Sequence, residues 1–202
     1  GAYFPYSYFV NWPEKDVWDV GTDYILSENQ LGLWGSCFWV NFVSKELAAM
    51  KEPVLYDYKL QSDEEIFRCS FFPSFHPSVS FRITKTGPKT TLYWEKLIPH
   101  YKEKADDIYG YETSYSLKKG KRMLKPSQYE EFVQLIKNVE QAELPRSFFV
   151  SMTDGAQWIY EHKTNQGFQA HLTNCMPRSL RKVFLWLVNM SKLDGSYAED
   201  YL

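Results

Sequence analysis

Residues 79–97 read VSFRITKTGPKTTLYWEKL, which is the pattern of a β-hairpin. Gly87-Pro88 supplies a turn between two runs in which apolar and polar residues alternate. Pairing Thr86 with Lys89 places an apolar set on one face: Val79, Phe81, Ile83, Leu92 and Trp94. The other face then holds Ser80, Arg82, Thr91, Tyr93 and Glu95. A slip by one residue would mix the two sets, so the sequence predicts this register.

The rest of the chain continues the strand pattern and adds helices. Further strands are predicted over residues 65–72, 115–124, 157–162 and 168–173, and helices over 37–50, 127–140 and 178–192. Ser127 and Glu130 are expected to form a capping box at the second helix, whose apolar stripe is predicted to consist of Tyr129, Phe132, Val133, Ile136 and Val139. Residues 99–114 are polar and predicted to form a loop. This order predicts an α+β fold: an antiparallel β-sheet of about five or six strands with helices packed on one face.

The second hairpin is predicted to turn through a three-residue loop in which Gly167 is left-handed. In that register Tyr160 faces Leu172, and Glu161 faces His171. The buried face would then hold Trp158, Tyr160, Phe168, Ala170 and Leu172.

Length and composition are those of one globular domain. The chain has 202 residues, of which 44% are hydrophobic, 24% charged and 18% aromatic. Many aromatic residues lie among the first 20, and disordered tails lack them, so this segment is expected to pack against its own domain or a partner. We expect an aromatic N-terminal extension with one helix packed on the core (1–60), an α+β core (61–194) and a tail (195–202).

The charge distribution argues against a nucleic-acid partner. The net charge is −2, which gives no overall attraction for phosphate backbones. A basic run does occur, made up of Lys118, Lys119, Lys121, Arg122 and Lys125. Lysines of this kind are typical of a solvated strand edge that they protect from unwanted pairing.

Membrane and compartment signals are weak. The longest uncharged stretch, Asn29–Ser44, is too short and too polar for a transmembrane segment. Gly1 in place of an initiator Met favours an exported protein, periplasmic or cell-surface, whose targeting segment has been removed. Cys37, Cys69 and Cys175 are widely spaced and are expected to be buried thiols, which leaves the compartment open.

Three motifs and a proline mark the segment from about Glu65 to Leu193. They are Glu65-Ile66-Phe67-Arg68, Pro73-Ser74-Phe75-His76-Pro77, Asp154-Gly155-Ala156-Gln157-Trp158-Ile159-Tyr160-Glu161, and then Pro177. With these residues the chain resembles a group of uncharacterised bacterial proteins over roughly two-thirds of its length. That family has no established activity, so the resemblance implies no catalytic residues. The chain departs from the pattern near residues 99–112 and in its aromatic N-terminal third.

Six residues are candidates for ligand binding: Arg68, His76, Asp154, Trp158, Glu161 and His171. Arg68 and His76 suit an anion or a proton shuttle, or else bonds to backbone carbonyls across a turn. Glu161 opposite His171 suits half of an acid–base pair, or else an ordinary cross-strand ion pair. Asp154 is first a turn residue and Trp158 first a core residue.

A metal site would need three or four converging ligands. The local candidates are His162, His171, Cys175 and Glu161, and the predicted register points the two histidines to opposite faces. Neither a metal nor another cofactor is therefore predicted.

Two functional hypotheses remain. The first is a non-catalytic binding or interaction protein that meets a protein or glycan partner through aromatic residues such as Tyr101, Tyr109, Tyr111 and Tyr115. The rings could instead only cover the domain's own sheet. The second hypothesis is an enzyme of unfamiliar type with a pocket of Arg, His and Glu side chains.

Overall fold

The computed structural model describes residues 41–74, 76–103, 111–141, 147–148 and 155–193, with side chains for 41–74, 76–100, 114–141 and 155–193. Within these residues the strands are β1 (Glu64–Pro73), β2 (Ser78–Thr86), β3 (Lys89–Glu103), β4 (Tyr111–Met123), β5 (Ser147–Phe148), β6 (Ala156–Thr164) and β7 (Gly167–Thr173). The helices are α1 (41–49), α2 (Pro126–Glu140) and α3 (Arg178–Ser191). The aromatic first 20 residues, Cys37, Asp154 and the tail lie outside the described residues.

The strands form one sheet in the order β4-β3-β2-β1-β6-β7-β5. The first six in this order pair antiparallel, and the two-residue β5 pairs in parallel with β7. The predicted α+β class with an antiparallel sheet is confirmed. Since β1 and β6 come from opposite ends of the core sequence, the centre of the sheet joins residues far apart in the chain.

The β2–β3 hairpin has the predicted register. Thr86 pairs with Lys89 and Ile83 with Leu92. Gly87 stands in the turn with a φ of +54°, a conformation that glycine adopts without steric cost. The apolar set packs in the core, with Trp94 at its margin.

Strands β3 and β4 are longer than expected, so the predicted loop over 99–114 is wrong for 99–103 and 111–114, while 104–110 lie outside the described residues. β3 extends to Glu103 and β4 begins at Tyr111, with Glu103 paired to Tyr111. The β2–β3 pairing stops at Leu97, so beyond that residue β3 has a described neighbour, β4, on one side only. Pro99, which has no N–H to donate, is tolerated there as on an edge strand.

The β6–β7 hairpin differs from the prediction by one residue. Its loop has two residues, because Thr164 pairs with Gly167. The Gln166 N–H donates to Thr164 Oγ1 at 3.1 Å, and the Asn165 amide donates to the Ser62 carbonyl at 2.7 Å. Gly167 lies in the strand with a φ of +157°, not in the left-handed helical conformation.

The shift moves the side chains of β7 to the opposite faces of the sheet. Glu161 pairs with Ala170 and Tyr160 with His171, so the predicted Glu161–His171 pair is wrong. Of the set expected to share one face with Trp158 and Tyr160, the three β7 members lie on the other face: Phe168, Ala170 and Leu172.

The two faces of the sheet carry different layers. On the α2/α3 face, Phe71, Phe81 and Trp158 pack against the helix residues Phe132 and Phe184. On the other face, the α1 face, the sheet contributes four apolar side chains: Phe72, Leu97, Ile159 and Leu172. They pack with Val43 and Leu47 of α1 and with Met50, which directly follows α1. The helices of the predicted core therefore share one face, while α1 covers part of the other.

Helix α2 begins one residue earlier than predicted, at Pro126. Proline suits the first helical position, where its missing N–H costs no hydrogen bond. The Lys125 N–H donates to Gln128 Oε1 at 2.9 Å, so the Gln128 side chain caps this end of the helix. The predicted capping box of Ser127 and Glu130 is wrong, because Ser127 lies inside the helix and not at its N-cap. Its buried residues Phe132, Ile136 and Val139 follow the predicted stripe.

Replacing Gly120 by alanine is expected to destabilise the sheet. Gly120 pairs with Trp94, and an added Cβ would stand 2.2 Å from Trp94 Cζ2. The indole must shift, so Gly120→Ala should lower the free energy of unfolding in urea by about 1–3 kcal/mol. In a Trp94→Leu background the same substitution should cost far less, and an equal cost in both backgrounds would exclude this contact as the cause.

Candidate functional site

Two of the predicted site residues meet at the centre of the sheet. Arg68 of β1 pairs with Glu161 of β6, which lies 93 residues later in the chain. Arg68 Nη2 donates to Glu161 Oε1 at 2.6 Å, and Nε donates to Glu161 Oε2. These two parallel bonds form a bidentate fork, the strongest ordinary geometry of an arginine–carboxylate pair. Both side chains are 0% exposed.

The segment after α1 joins this pair. Arg68 Nη1 donates to the Pro53 carbonyl at 2.6 Å and to Glu52 Oε2 at 3.3 Å. The same Glu52 oxygen accepts a bond of 2.9 Å from Arg82 Nε. Two carboxylates thus face two guanidinium groups, and only Arg82, with a side chain 20% exposed, reaches solvent.

Burial costs each of these charges its hydration, and the neighbours offset that cost. Burial by itself would lower the pKa of Arg68, but the charge of Glu161 and its hydrogen bonds, with a smaller contribution from Glu52, raise it above its ordinary value. Arg68 therefore stays positively charged. The group can hold the α1 segment and β6 on β1, but a dissolved substrate has no access to the Arg68–Glu161 pair.

The polar side chains continue across the α1 face toward β4. Two cross-strand rows are in register: one runs Glu161, Arg68, Arg82, Tyr93 and Lys121, and the next runs Ser70, Ser80, Glu95 and Lys119. Ser70 Oγ donates to Ser80 Oγ at 2.8 Å, with both residues fully buried. The Arg82 guanidinium lies over the Tyr93 ring, 4.5 Å from its centroid, which suits a cation–π contact. Both rows end in lysines on β4.

Of the carboxylates in these two rows, Glu95 lies nearest to the terminal strand β4. Burial, and then the negative charge of Glu52, raise the pKa of Glu95 above its ordinary value. Its Oε2 atom is buried and accepts no hydrogen bond from the residues that the structure describes. Lys119, its cross-strand partner, opposes the rise in pKa.

A second polar cluster lies on the α2/α3 face and was missed by the sequence analysis. His162 Nε2 stands 2.8 Å from Glu65 Oε1, and His162 Nδ1 stands 3.4 Å from Glu140 Oε1. The Tyr129 hydroxyl donates to Glu65 Oε2 at 2.9 Å. The Phe67 ring stacks on the imidazole with 4.0 Å between centroids. An imidazolium, with a hydrogen on each ring nitrogen, can donate to both carboxylates and tie β6 to β1 and α2.

The sequence contained a partial signal for this cluster. Glu65 opens the Glu65-Ile66-Phe67-Arg68 motif, and Tyr129 belongs to the predicted apolar stripe of α2. His162 was weighed only as a metal ligand. The register that placed His162 and His171 on opposite faces is wrong, because the one-residue shift of β7 puts both on the α2/α3 face.

The other site candidates lie apart. Trp158 is a core residue: its ring stacks on Phe71 at 4.1 Å and meets the edge of Phe184 at 4.7 Å. His171 is buried opposite Tyr160, on the α2/α3 face and away from Glu161. His76 is half-buried in the connection between β1 and β2.

The two described cysteines differ in exposure. Cys69 is buried, and burial raises the pKa of its thiol, whereas Cys175 is exposed, so the expectation of burial is wrong for Cys175. In the described part of the chain, no three or more His, Cys, Asp or Glu side chains are arranged to hold a metal ion. No helix among these residues has the length and apolar character needed to cross a membrane.

Removing Arg68 should be more damaging than removing Arg82. Arg68→Met leaves Glu161 and Glu52 buried with one fewer positive charge, and breaking such a pair costs about 3–5 kcal/mol of unfolding free energy. Arg82→Met, at a partly exposed position, is the matched control and should cost less. Urea denaturation of both variants checks this, and an equal or larger loss for Arg82→Met would contradict it.

The double variant Arg68→Met/Glu161→Gln tests the pair itself. The double variant should lose less unfolding free energy than the two single variants lose together. The reason is that Glu161→Gln removes the charged carboxylate that Arg68→Met leaves without its arginine. Strict additivity would show that the fork contributes no coupling energy.

The cluster around Glu65 predicts a specific pH dependence. The hydrogen bond from His162 lowers the pKa of Glu65, and the bond from Tyr129 adds to this effect against burial, which raises it. Because folding lowers this pKa, Glu65 stabilises the fold above the pKa of an unfolded Glu, about 4.3. That contribution is lost as the pH falls through the lower folded value.

Urea denaturation across this acid range should therefore give a shallower loss of stability for Glu65→Gln than for the wild type. Glu131→Gln, which changes an exposed carboxylate of α2, is the control and should follow the wild type. Identical slopes for the wild type and Glu65→Gln would contradict the assignment.

Comparison with protein-family models finds no match, and comparison with curated proteins finds none either.

Proposed function

We propose that this protein is a non-catalytic binding protein that meets a protein or glycan partner through exposed aromatic and apolar side chains. The observation that supports this most is the complete burial of Arg68 and Glu161, which are bonded to each other. Groups held in this way contribute to folding and have no contact with a dissolved substrate.

The exposed apolar side chains support a recognition role. Among the described residues, large exposed hydrophobics are Tyr56 (37% exposed), Tyr115 (49%), Met123 (63%) and Leu185 (36%). The Tyr56 ring meets Phe168 edge to face at 5.5 Å, with Lys163 Nζ 6.0 Å from the Phe168 ring centroid. Tyrosine buries a large amphipathic area at a partner with little loss of side-chain entropy.

The enzyme alternative has less support. It requires Arg68, His76, Glu161 and His171 to line one cavity, and strand parity turns Glu161 and His171 to opposite faces of the sheet. An acid–base pair cannot act on one substrate across a sheet.

A binding screen tests the proposal. The purified protein is applied to a glycan array and to a displayed library of random peptides, and the double variant Tyr56→Ser/Tyr115→Ser is screened beside it. We expect the wild type to enrich a ligand class and the variant to bind it at least about tenfold more weakly, as is usual when aromatic anchors are removed.

Arg181→Ser/Lys182→Ser, which changes two exposed polar residues of α3, is the matched control and should bind like the wild type. The proposal fails if neither screen yields a ligand, or if both double variants bind the enriched ligand as tightly as the wild type.

A further inference from the structure

We propose that the outer edge of β4 takes up an extended acidic peptide as an additional strand of the sheet. This inference rests on the proposed binding function and names its partner class. It is carried by the open edge, by the exposed side chains along it and by their charge.

The edge is long and continuous. β4 is the terminal strand of the sheet and is paired with β3 along its whole length, from Glu103–Tyr111 to Thr91–Met123. No other strand of the described residues lies on its outer side. An edge strand presents every second N–H and C=O group outward, and an extended peptide can pair with these groups.

The side chains along this edge are patterned. Strand alternation places Tyr115, Leu117, Lys119, Lys121 and Met123 on the α1 face. Tyr115 and Met123, two of the most exposed large hydrophobic side chains described, flank the exposed lysines. If the lysines served only to prevent the edge from pairing with other strands, exposed apolar side chains at both ends of the lysine run would have no role.

The charge balance of the edge favours an acidic partner. Residues 114–123 contain no acidic residue. Lys119 has one carboxylate opposite it, that of Glu95, and Lys121 stands opposite Tyr93, over which Arg82 already lies. Carboxylates on an added strand would lie beside Lys119 and Lys121 and form cross-strand pairs of opposite charge with them.

A second copy of this chain is a poor occupant. Two β4 strands side by side would set lysines against lysines, and like charges in opposing positions are destabilising. The same lysines that repel a second copy attract an acidic segment, so they select the partner.

The geometry sets the length and pattern of that partner. The eight residue steps from Tyr115 to Met123 span about 26 Å of strand. A matching segment has about nine residues, with carboxylates at alternate central positions and apolar residues at both ends.

The probe is a fluorescein-labelled peptide of sequence Val-Thr-Glu-Thr-Glu-Thr-Glu-Thr-Val, which places carboxylates beside Lys119 and Lys121 in either strand direction. Binding is followed by fluorescence anisotropy at low ionic strength, where charge attraction is least screened. We expect saturable binding that Lys119→Glu/Lys121→Glu weakens at least about tenfold. Lys59→Glu/Lys182→Glu, which makes the same change in net charge at exposed positions elsewhere, should bind like the wild type.

A second peptide separates strand addition from charge attraction alone. Replacing one of the two Thr residues that flank its central Glu by Pro removes one backbone donor at unchanged charge and should abolish binding. Hydrogen exchange of the wild type should show new protection of amides within residues 114–123 when the first peptide is present. Circular dichroism and thermal unfolding establish that all variants are folded.

The outcomes distinguish this inference from the proposed function. The inference is overturned if the acidic peptide does not bind, if Lys119→Glu/Lys121→Glu binds it as well as the wild type, or if β4 gains no protection. In each case a ligand found in the glycan and peptide screens would leave the binding function standing. Both are removed when the screens yield no ligand and the acidic peptide does not bind either.

Discussion

Arg68 and Glu161 lie side by side at the centre of the sheet, and much of the fold is arranged around their charges. A buried guanidinium without a carboxylate beside it would cost several kcal/mol, so β1 and β6 must meet in the register that joins the two. A slip of one residue would turn one side chain to the opposite face and leave both charges without their partner. Glu52 and the Pro53 carbonyl extend the same requirement to the segment after α1. The pair thus specifies an arrangement more than it adds net stability.

The two faces of the sheet carry different kinds of side chain. The α2/α3 face is closed by aromatic packing: Phe67 contacts Phe132, and Trp158 stacks on Phe71 and meets the edge of Phe184. Many of the described aromatic side chains are therefore buried in the core and are not available for recognition. The α1 face carries polar rows that run from the buried pair to lysines on β4, the terminal strand of the sheet among the described residues. The binding function that we propose is accordingly better sought along β4 than among the buried rings.

Part of the candidate site could be read from single residues, and part could not. Arg68 and Glu161 stand out because their motifs place a charged residue within strongly apolar strands. The partner assigned to Glu161 was wrong, since the loop after β6 has two residues and not three. One residue in a turn decides which face each β7 side chain occupies. The pairing of His162 was not predicted because its partners, Glu65 and Glu140, lie on two other elements.

The sequence by itself determined the local structure: the β2–β3 register, the stripe of α2 and the α+β class all follow from spacing within short segments. Alternation and helical periodicity constrain neighbours directly, so no distant information is needed. Only the tertiary structure decided that β1 lies between β2 and β6, that α1 covers the second face, and that β4 remains an edge. Those outcomes depend on which distant surfaces bury one another and on which buried charges find a partner, and these are energies of the whole chain.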